Sequence, residues 1–215
     1  YNYYPTPETK RSNLRHRPIG LGLMGVHDVL HRLDIQIDSP DSLKFNDKLF
    51  EFYSRHAILA SSQLAAERGS YESFIGSLWH QNILPLDSWN NLMSYRGQKK
   101  THKTTFNWQE VRDSIKEHGM RNSNVMAIAP TATIGYINGV EQSIEPNFSV
   151  LFVYECKSGN FYITNEHFVR DAKKHNLWSP ELARLIKSVD GDVYSLNGDI
   201  PLHLKEKYKT AFDRD

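Results

Sequence analysis

The sequence feature that most constrains the fold is a long run of helical spacing that opens with a strong helix-start signal. Ser39 can cap the helix and Pro40 suits its first position, while Asp41 adds negative charge at the positive end of the helix dipole. Gly69 provides a stop signal directly after Arg68. We therefore predict one long helix over 40–68. Its predicted buried stripe comprises Leu49, Phe52, Tyr53, His56, Ala60, Leu64 and Ala65.

Shorter signals divide the rest of the chain into helices and a few strands. Residues 1–17 are polar and rich in Pro, Arg and Asn, which predicts an extended connection, and the basic segment 94–106 is predicted to be a mobile loop. Further helices are predicted over 19–33, 88–93, 108–118, 166–175, 180–187 and 202–212, a strand over 124–128, and a hairpin over 151–155 and 160–163. The fold class is α/β and helix-rich, with too few strands for a closed barrel.

Composition excludes several classes of protein. The chain has 215 residues, of which 39% are hydrophobic and 24% charged, and its net charge is +1, which argues against a dedicated nucleic-acid binder. No apolar run approaches the ~18 residues that a membrane span needs. The one cysteine, Cys156, rules out an internal disulfide, fits a cytoplasmic location and is interpreted as a packing or surface residue. The chain lacks a starting Met, so we expect it to derive from something longer.

The glycines at 20, 22 and 25 form a Gly-x-Gly-x-x-Gly pattern. A dinucleotide fold requires a strand directly before that pattern, and the polar residues 12–17 do not resemble one. The alternative hypothesis, that the chain is a nicotinamide-dependent dehydrogenase, depends on this motif alone. The favoured interpretation is a smooth helix face against which another element packs closely.

Two further sets of titratable residues attract attention. His27 and His31 have the i, i+4 spacing of a metal site, but no His-Glu-x-x-His pattern is present, and a partly exposed helix face is the favoured interpretation. Glu141 and Glu145 lie near the turn described next, as candidates for an acid and a base whose separation the sequence does not reveal.

The strongest candidate site is the turn that follows the strand predicted over 124–128. The segment Ala129 to Ile134 stops at Pro130 and then runs Thr-Ala-Thr into a helix start. The first N–H groups of a helix lack intrahelical partners, and its dipole favours an anion there. Small side chains let a phosphate approach the backbone, and Thr131 and Thr133 add hydroxyls. The residues alone leave two interpretations open, a phosphate-binding turn and an ordinary N-cap at Thr131.

Several motifs, taken in order along the chain, resemble the catalytic large subunit of ribonucleotide reductase. They are residues 15–22, 66–72, 119–124, 126–134, 143–146 and 158–161. The resemblance covers nearly the whole chain and is nearest to the bacterial class I enzymes. The adenosylcobalamin-dependent class shares the Pro-Thr-Ala-Thr turn, so the source of the radical stays open.

The resemblance implies a ten-stranded α/β barrel, of which residues 1–215 would form one partial, or half, barrel. In the family, the Pro-Thr-Ala-Thr turn binds the diphosphate of a ribonucleoside diphosphate, whose ribose loses its 2′-hydroxyl by radical chemistry. By position, Thr131, Ala132, Thr133 and Ile134 would donate backbone N–H groups. The two threonines would add hydroxyls, and Pro130 would shape the wall near the sugar.

The resemblance also shows which parts of the reaction this sequence lacks. The family reaction starts from a thiyl radical in an Asn-x-Cys-x-Glu loop and uses two further cysteines as reductants, and Cys156 occupies none of these positions. No catalytic residue, metal or cofactor is therefore predicted in this chain. The radical would come from a metal-containing small subunit or from adenosylcobalamin. The expected partners are the substrate, the remainder of the large subunit and the small radical-generating subunit, in an oligomer without nucleic acid or membrane.

Two hypotheses follow from this combination. In the first, the chain is a component of ribonucleoside-diphosphate reductase that supplies the diphosphate-binding turn and is inactive by itself. In the second, it is a non-catalytic fragment that acts as a partner-binding or structural module. Restoration of nucleotide reduction on mixing with the cysteine-bearing portion would distinguish the first from the second.

Overall fold

The computed structural model describes residues 3–98, 102–157, 159–198 and 200–214. In those residues the chain forms nine α-helices, one antiparallel pair of strands and a short 3-10 helix, η1 (Ala211–Asp213). The helices are α1 (Pro7–His16), α2 (Val26–Arg32), α3 (Pro40–Arg68), α4 (Pro85–Tyr95), α5 (Gln109–His118), α6 (Ala132–Asn138), α7 (Glu166–Lys174), α8 (Pro180–Ser188) and α9 (Leu202–Lys207). The strands are β1 (Leu151–Cys156) and β2 (Gly159–Thr164). No helix in the described ranges is long and apolar enough to cross a membrane.

The described residues divide into two compact units, each with its own hydrophobic core. The first unit comprises residues 3–22, 46–98 and 102–128, and the second comprises residues 23–45, 129–157, 159–198 and 200–214. The core of the first unit is formed by Ile58, Tyr71, Leu84, Val111, Ile115, Met120 and Val125. The core of the second is formed by Val150, Phe168, Ala172, Ile186, Val193, Leu196, Leu204 and Tyr208.

Helix starts that depend on a local capping group are confirmed. Ser39 Oγ accepts a hydrogen bond from the Ser42 N–H at 3.1 Å, directly before α3. Asn165 Oδ1 and Ser179 Oγ cap α7 and α8 in the same way, at 3.0 and 3.2 Å. The predicted hairpin is also confirmed, with Leu151 paired to Thr164. These signals lie within a few residues of the structure they specify, which is why the sequence reveals them.

The predicted buried stripe of α3 is confirmed at Ala65, while Leu49, Tyr53 and Leu64 are half-buried and the other three positions are wrong. Phe52, His56 and Ala60 are exposed, whereas the buried side chains of the helix include Arg55, Ile58, Ser61, Ser62 and Ala65. The buried face is partly polar because its serines have partners. Ser61 Oγ donates to Asn122 at 2.9 Å, and Ser62 Oγ pairs with Ser114 Oγ at 2.8 Å. Apolar spacing alone therefore indicated only part of the buried face.

Residues 7–16 are helical, contrary to the extended connection predicted over 1–17. Thr6 Oγ1 accepts from the Thr9 N–H at 3.3 Å, and Pro7 occupies the first helical position of α1. None of the residues of α1 is buried. The helix therefore has no apolar stripe, and its capping residues are the only local sequence signal for it.

The glycine pattern neither starts a dinucleotide fold nor lies on a helix. The helix α1 precedes Gly20, so the required strand is missing from the described segment 3–19 and the dehydrogenase interpretation is wrong. Residues 19–22 instead lie extended beside residues 124–127, with a parallel bridge between Leu21 and Met126. A Cβ at Gly20 would lie 2.9 Å from the Cβ of Ala127, so the glycine permits a close backbone approach.

Three other boundaries differ from the predictions. The helix predicted over 19–33 begins only at Val26, because Gly25 adopts a left-handed conformation with φ 74°. The strand predicted over 124–128 is reduced to the single bridge at Met126. The last predicted helix ends at Lys207, and Thr210 caps η1 separately.

The basic segment 94–106 is described only in part, since residues 99–101 lie outside the described ranges. Its first two residues complete α4. At its other end, the backbone N–H groups of Thr105 and Phe106 donate to the Glu51 carboxylate at 2.8 and 3.0 Å. The predicted mobility of this segment stays a prediction.

The expected half barrel is not confirmed. Among the described residues, the only sheet has two strands, β1 and β2, and it is a local antiparallel hairpin. What is established is the coarser class, a helix-rich α/β chain.

Candidate functional site

The predicted turn at residues 129–134 lies in the second unit and leads directly into α6. Thr131 precedes the helix with φ 49° and ψ 28°, a left-handed conformation that few non-glycine residues adopt. Its hydroxyl does not cap α6 but accepts a hydrogen bond from the Ser143 N–H at 2.8 Å. Ala132, Thr133 and Ile134 are the first three residues of the helix and all are exposed. Their N–H groups are therefore among those that a helix leaves without intrahelical partners.

Contacts at both ends of α6 fix its position. Gly135 is buried, and a Cβ there would lie 3.0 Å from the Val140 carbonyl oxygen, so a larger residue would displace the loop after the helix. The Val140 N–H donates to the Gly135 carbonyl at 3.0 Å, and Gly139 ends the helix with φ 66°. With the Thr131–Ser143 bond, these contacts tie the turn to the loop 139–143.

Asp28 of α2 holds the same loop from the other side. One carboxylate oxygen accepts from the Glu141 N–H at 2.6 Å, and the other pairs with His167 Nε2 of α7 at 3.0 Å. The Gly25 N–H donates to the Glu141 carbonyl at 2.9 Å. The side chains of Asp28 and His167 are 14% and 10% exposed, so this hydrogen bond is shielded from water.

Glu141 lines a cavity beside α6. The cavity has a volume of about 180 Å³, and its walls include Asp28, Arg32, Tyr136, Glu141 and His167. Burial and then the nearby charge of Asp28 raise the pKa of Glu141 to about 7, although a weak contact from Asn165 at 3.5 Å opposes the shift. Glu141 can therefore exchange a proton near neutral pH, as a general acid or base requires.

The structure separates the two glutamates that the sequence grouped together. Glu141 is half-buried in the cavity, whereas Glu145 is exposed. Sequence analysis missed the role of Asp28 and His167, which lie 139 residues apart along the chain. The only available signal was an acidic residue beside His27 in the first turn of α2.

The predicted exposed face at His27 and His31 is wrong, because both rings are buried in the second unit. Their ring centroids lie 4.0 Å apart, and His31 also contacts the Tyr208 ring at 4.7 Å. His27 Nδ1 accepts from the Asn147 N–H at 3.0 Å. Neither ring nitrogen of His31 makes a hydrogen bond of normal geometry, and the backbone of Lys207 favours its protonated form only slightly. This pair is a packing element of the second unit.

A buried charged cluster lies next to these rings. Asp171 accepts from Lys207 Nζ at 2.8 Å and from the Tyr208 hydroxyl at 2.7 Å. Burial favours the protonated carboxyl, but these bonds and one from Lys174 prevail and hold the pKa of Asp171 well below its usual range. Lys207 Nζ also contacts the exposed carboxylate of Asp34 at 2.5 Å. The cluster joins α7 to α9.

The described residues contain no group of three or more His, Cys, Asp or Glu side chains arranged to hold a metal ion. The side chains that the structure brings together are instead the two threonines of the turn and the Asp28–Glu141–His167 group.

Comparison with known proteins places this geometry in context. The family model described as "Ribonucleotide reductase, barrel domain" matches residues 1–215. The chain is 46% identical over 215 residues to the ribonucleoside-diphosphate reductase subunit alpha of Chlamydia pneumoniae, covering 99% of this chain and 20% of that protein. It is 36% identical over 212 residues to the large subunit from Arabidopsis thaliana and 35% to the large chain from Schizosaccharomyces pombe, covering 99% of this chain and 25% of each. The chain thus spans a fifth to a quarter of the length of these relatives.

Proposed function

The chain belongs to the ribonucleotide reductase barrel-domain family, and we propose that it forms part of a ribonucleoside-diphosphate reductase large subunit and supplies its substrate-diphosphate turn. The observation that carries the proposal is the start of α6. Three exposed residues with unpaired helix N–H groups follow Thr131, whose hydroxyl is fixed by the Ser143 N–H. This arrangement suits a diphosphate better than an ordinary N-cap, because the threonine side chain does not occupy the N–H groups.

The remaining roles at the turn follow from the chemistry of the residues. Thr131 accepts from the Ser143 N–H, so its own hydroxyl proton is free to be donated to a phosphate oxygen. Thr133 contributes an exposed hydroxyl in the first helical turn, and Pro130 borders the sugar. Thr131, Ala132, Thr133 and Ile134 donate backbone N–H groups.

The radical chemistry requires partners outside this chain. The sequence has no Asn-x-Cys-x-Glu segment, so the thiyl radical and the reducing thiols belong to the remainder of the large subunit. The radical itself comes from a metal-containing small subunit or from adenosylcobalamin. Large apolar side chains of the second unit, among them Ile137 and Phe212 at 77% and 82% exposure, are suited to being covered by the missing portion.

The proposal is tested in the full-length subunit assembled with its radical-generating partner. Thr133→Asp places a negative charge where the diphosphate binds, although an acidic residue in the first turn stabilises a helix by itself. We expect the KM for a ribonucleoside diphosphate to rise at least tenfold, which corresponds to about 1.4 kcal/mol of lost binding. The neutral control is Thr133→Asn, because asparagine has nearly the same shape as aspartate but adds no charge. Its KM is expected to remain within about threefold of the wild-type value.

The experiment also separates the two hypotheses. A Thr133→Asp subunit with unchanged KM would remove the diphosphate role from the turn. Mixing this chain with the cysteine-bearing portion is expected to restore nucleotide reduction. Failure of every such pairing, with both parts folded, would favour a structural or partner-binding fragment.

A further inference from the structure

A concentration of positive charge lies in the first unit, around a cleft of about 330 Å³. Three arginines line it: Arg17, which follows the end of α1, Arg68 at the end of α3, and Arg121. Tyr4 and Leu64 form part of its less polar wall. No aspartate or glutamate is among the described residues that line the cleft.

Hydrogen bonds hold the side chain of Arg121 and the backbone of Arg17 and Arg68 in place. Arg121 Nη1 donates to the carbonyl oxygens of Arg68 and Gly69, at 2.8 and 3.0 Å. The buried Asn122 amide donates to the Arg17 carbonyl at 2.8 Å, and Ser61 Oγ donates to Asn122 Oδ1. Arg17 itself adopts a left-handed conformation, with φ and ψ both 47°. Such a conformation costs free energy and persists where the surroundings impose it.

The charges in the cleft are not balanced within the described part of the first unit. The two helix C-termini supply about −0.5 elementary charge each, against three guanidinium groups. The nearest acidic group, Glu67, lies 3.9 Å from Arg68 in a contact that is about two-thirds exposed on both sides, so it is weak. Burial, followed by repulsion from Arg17 and Arg68, lowers the pKa of Arg121.

We propose that this cleft is a binding site for a phosphate group, either free or carried by a small organic molecule. Guanidinium groups pair with phosphate through two parallel hydrogen bonds, and Arg121 uses only one of its nitrogens on the backbone carbonyls. A doubly charged anion offsets more of the three positive charges than a carboxylate does. The cleft also has room beside the anion for an organic group against Tyr4 and Leu64. The site is independent of the turn at residues 129–134, which lies in the other unit.

The test is isothermal titration of the full chain in a phosphate-free buffer, with inorganic phosphate, pyrophosphate, ADP and acetate as separate probes. Because the turn before α6 is also proposed to bind phosphate, every titration is carried out in the Thr133→Asp background. Arg17→Gln and Arg68→Gln remove charge from the cleft without removing the carbonyl contacts of Arg121. Arg96→Gln removes the same charge from an exposed position at the end of α4 and serves as the matched control.

We expect binding to weaken at least tenfold in both cleft variants and to change less than twofold in Arg96→Gln. If inorganic phosphate binds more tightly than ADP, the site is assigned to the free anion. If ADP binds more tightly than inorganic phosphate, the site is assigned to an organic phosphate. The proposal is overturned if none of the phosphate probes binds, if acetate binds as tightly as phosphate, or if Arg96→Gln weakens binding as much as Arg17→Gln. Circular dichroism of each variant establishes that the fold is retained.

Discussion

Replacement of His31 by phenylalanine is expected to stabilise the second unit, although it removes a buried polar side chain. The His31 ring is 1% exposed, packs between the rings of His27 and Tyr208, and lacks a hydrogen bond of normal geometry at either nitrogen. A buried polar group without a partner costs roughly 1–3 kcal/mol. Phenylalanine keeps an aromatic ring there, and the slightly larger ring opposes part of the gain. We expect the free energy of unfolding at pH 7 to increase by about 1 kcal/mol.

The pH dependence of the free energy of unfolding provides a second, independent test of the same substitution. Burial, and next the positive charge that His27 can carry, lower the pKa of His31 from 6.5 to about 2. A lowered histidine pKa means that the unfolded state takes up the proton first, so stability is present above pH 6.5 and is lost as the pH falls. At pH 5 the loss from this one residue is about 2 kcal/mol, from 1.4 kcal/mol per pH unit below the unfolded value. The free energy of unfolding of His31→Phe should therefore exceed that of the wild type by about 1 kcal/mol at pH 7 and by about 3 kcal/mol at pH 5.

The assay is urea unfolding of wild type and His31→Phe at pH 5, 6, 7 and 8, followed by circular dichroism. His27→Phe is the matched control, because it buries the same ring but leaves the Asn147 N–H without its acceptor. That control is expected to destabilise the unit by about 1–3 kcal/mol at pH 7. The reasoning fails if both variants lower stability equally, or if the difference between His31→Phe and wild type does not depend on pH.

Three further predictions, two of them with a control substitution, test other contacts of the second unit by the same unfolding measurement. Asp171→Asn leaves the buried ammonium group of Lys207 without its buried carboxylate and should lower the free energy of unfolding by about 3–5 kcal/mol. Asp34→Asn removes the other partner of Lys207, which is 83% exposed, and should cost less than about 1 kcal/mol. Equal losses would contradict the role of burial. Burial and then its acidic neighbour raise the pKa of Glu141 from 4.5 to about 7, so its stabilising contribution is full below pH 4.5 and is lost as the pH rises through 7. Glu141→Gln should abolish that loss, up to about 3 kcal/mol between pH 5 and 8, and an unchanged profile would refute the assignment. Gly25→Ala should lower the free energy of unfolding by about 1–2 kcal/mol, because alanine disfavours the left-handed backbone at this position. The added Cβ would also lie 3.1 Å from the Cβ of Val140, which increases the loss. The same change at Gly139, where a Cβ meets no other atom, should cost less.

The sequence predicted elements whose specification is local. Ser39, Asn165 and Ser179 each place a hydrogen-bond acceptor within three residues of the N–H that it caps, so the helix start is readable from a few letters. α1 was missed for a related reason. It has a good cap at Thr6 but no buried side chain, and a search for apolar spacing does not detect such a helix.

Burial was harder to predict than helix formation. A histidine pair at i, i+4 has the same spacing on an exposed face and in a core, and only the partners of His27, at Asn147 and in the ring of His31, decide between them. The same holds for α3, where Ser61 and Ser62 are buried because Asn122 and Ser114 satisfy their hydroxyls. Residue type predicts burial poorly where a polar side chain finds a distant partner.

The proposed diphosphate turn combines both kinds of information. Its anion-binding groups are local, since the first turn of α6 exposes N–H groups whatever surrounds it. Yet α6 has only seven residues, of which Gly135 alone is buried, and a helix so short is not stable in isolation. Its position depends on the bond from Ser143 to Thr131 and on Asp28, which holds the following loop from a helix more than one hundred residues earlier. A sequence motif can therefore identify which atoms would bind the phosphate, whereas the geometry that makes them bind is set by contacts that the motif does not contain.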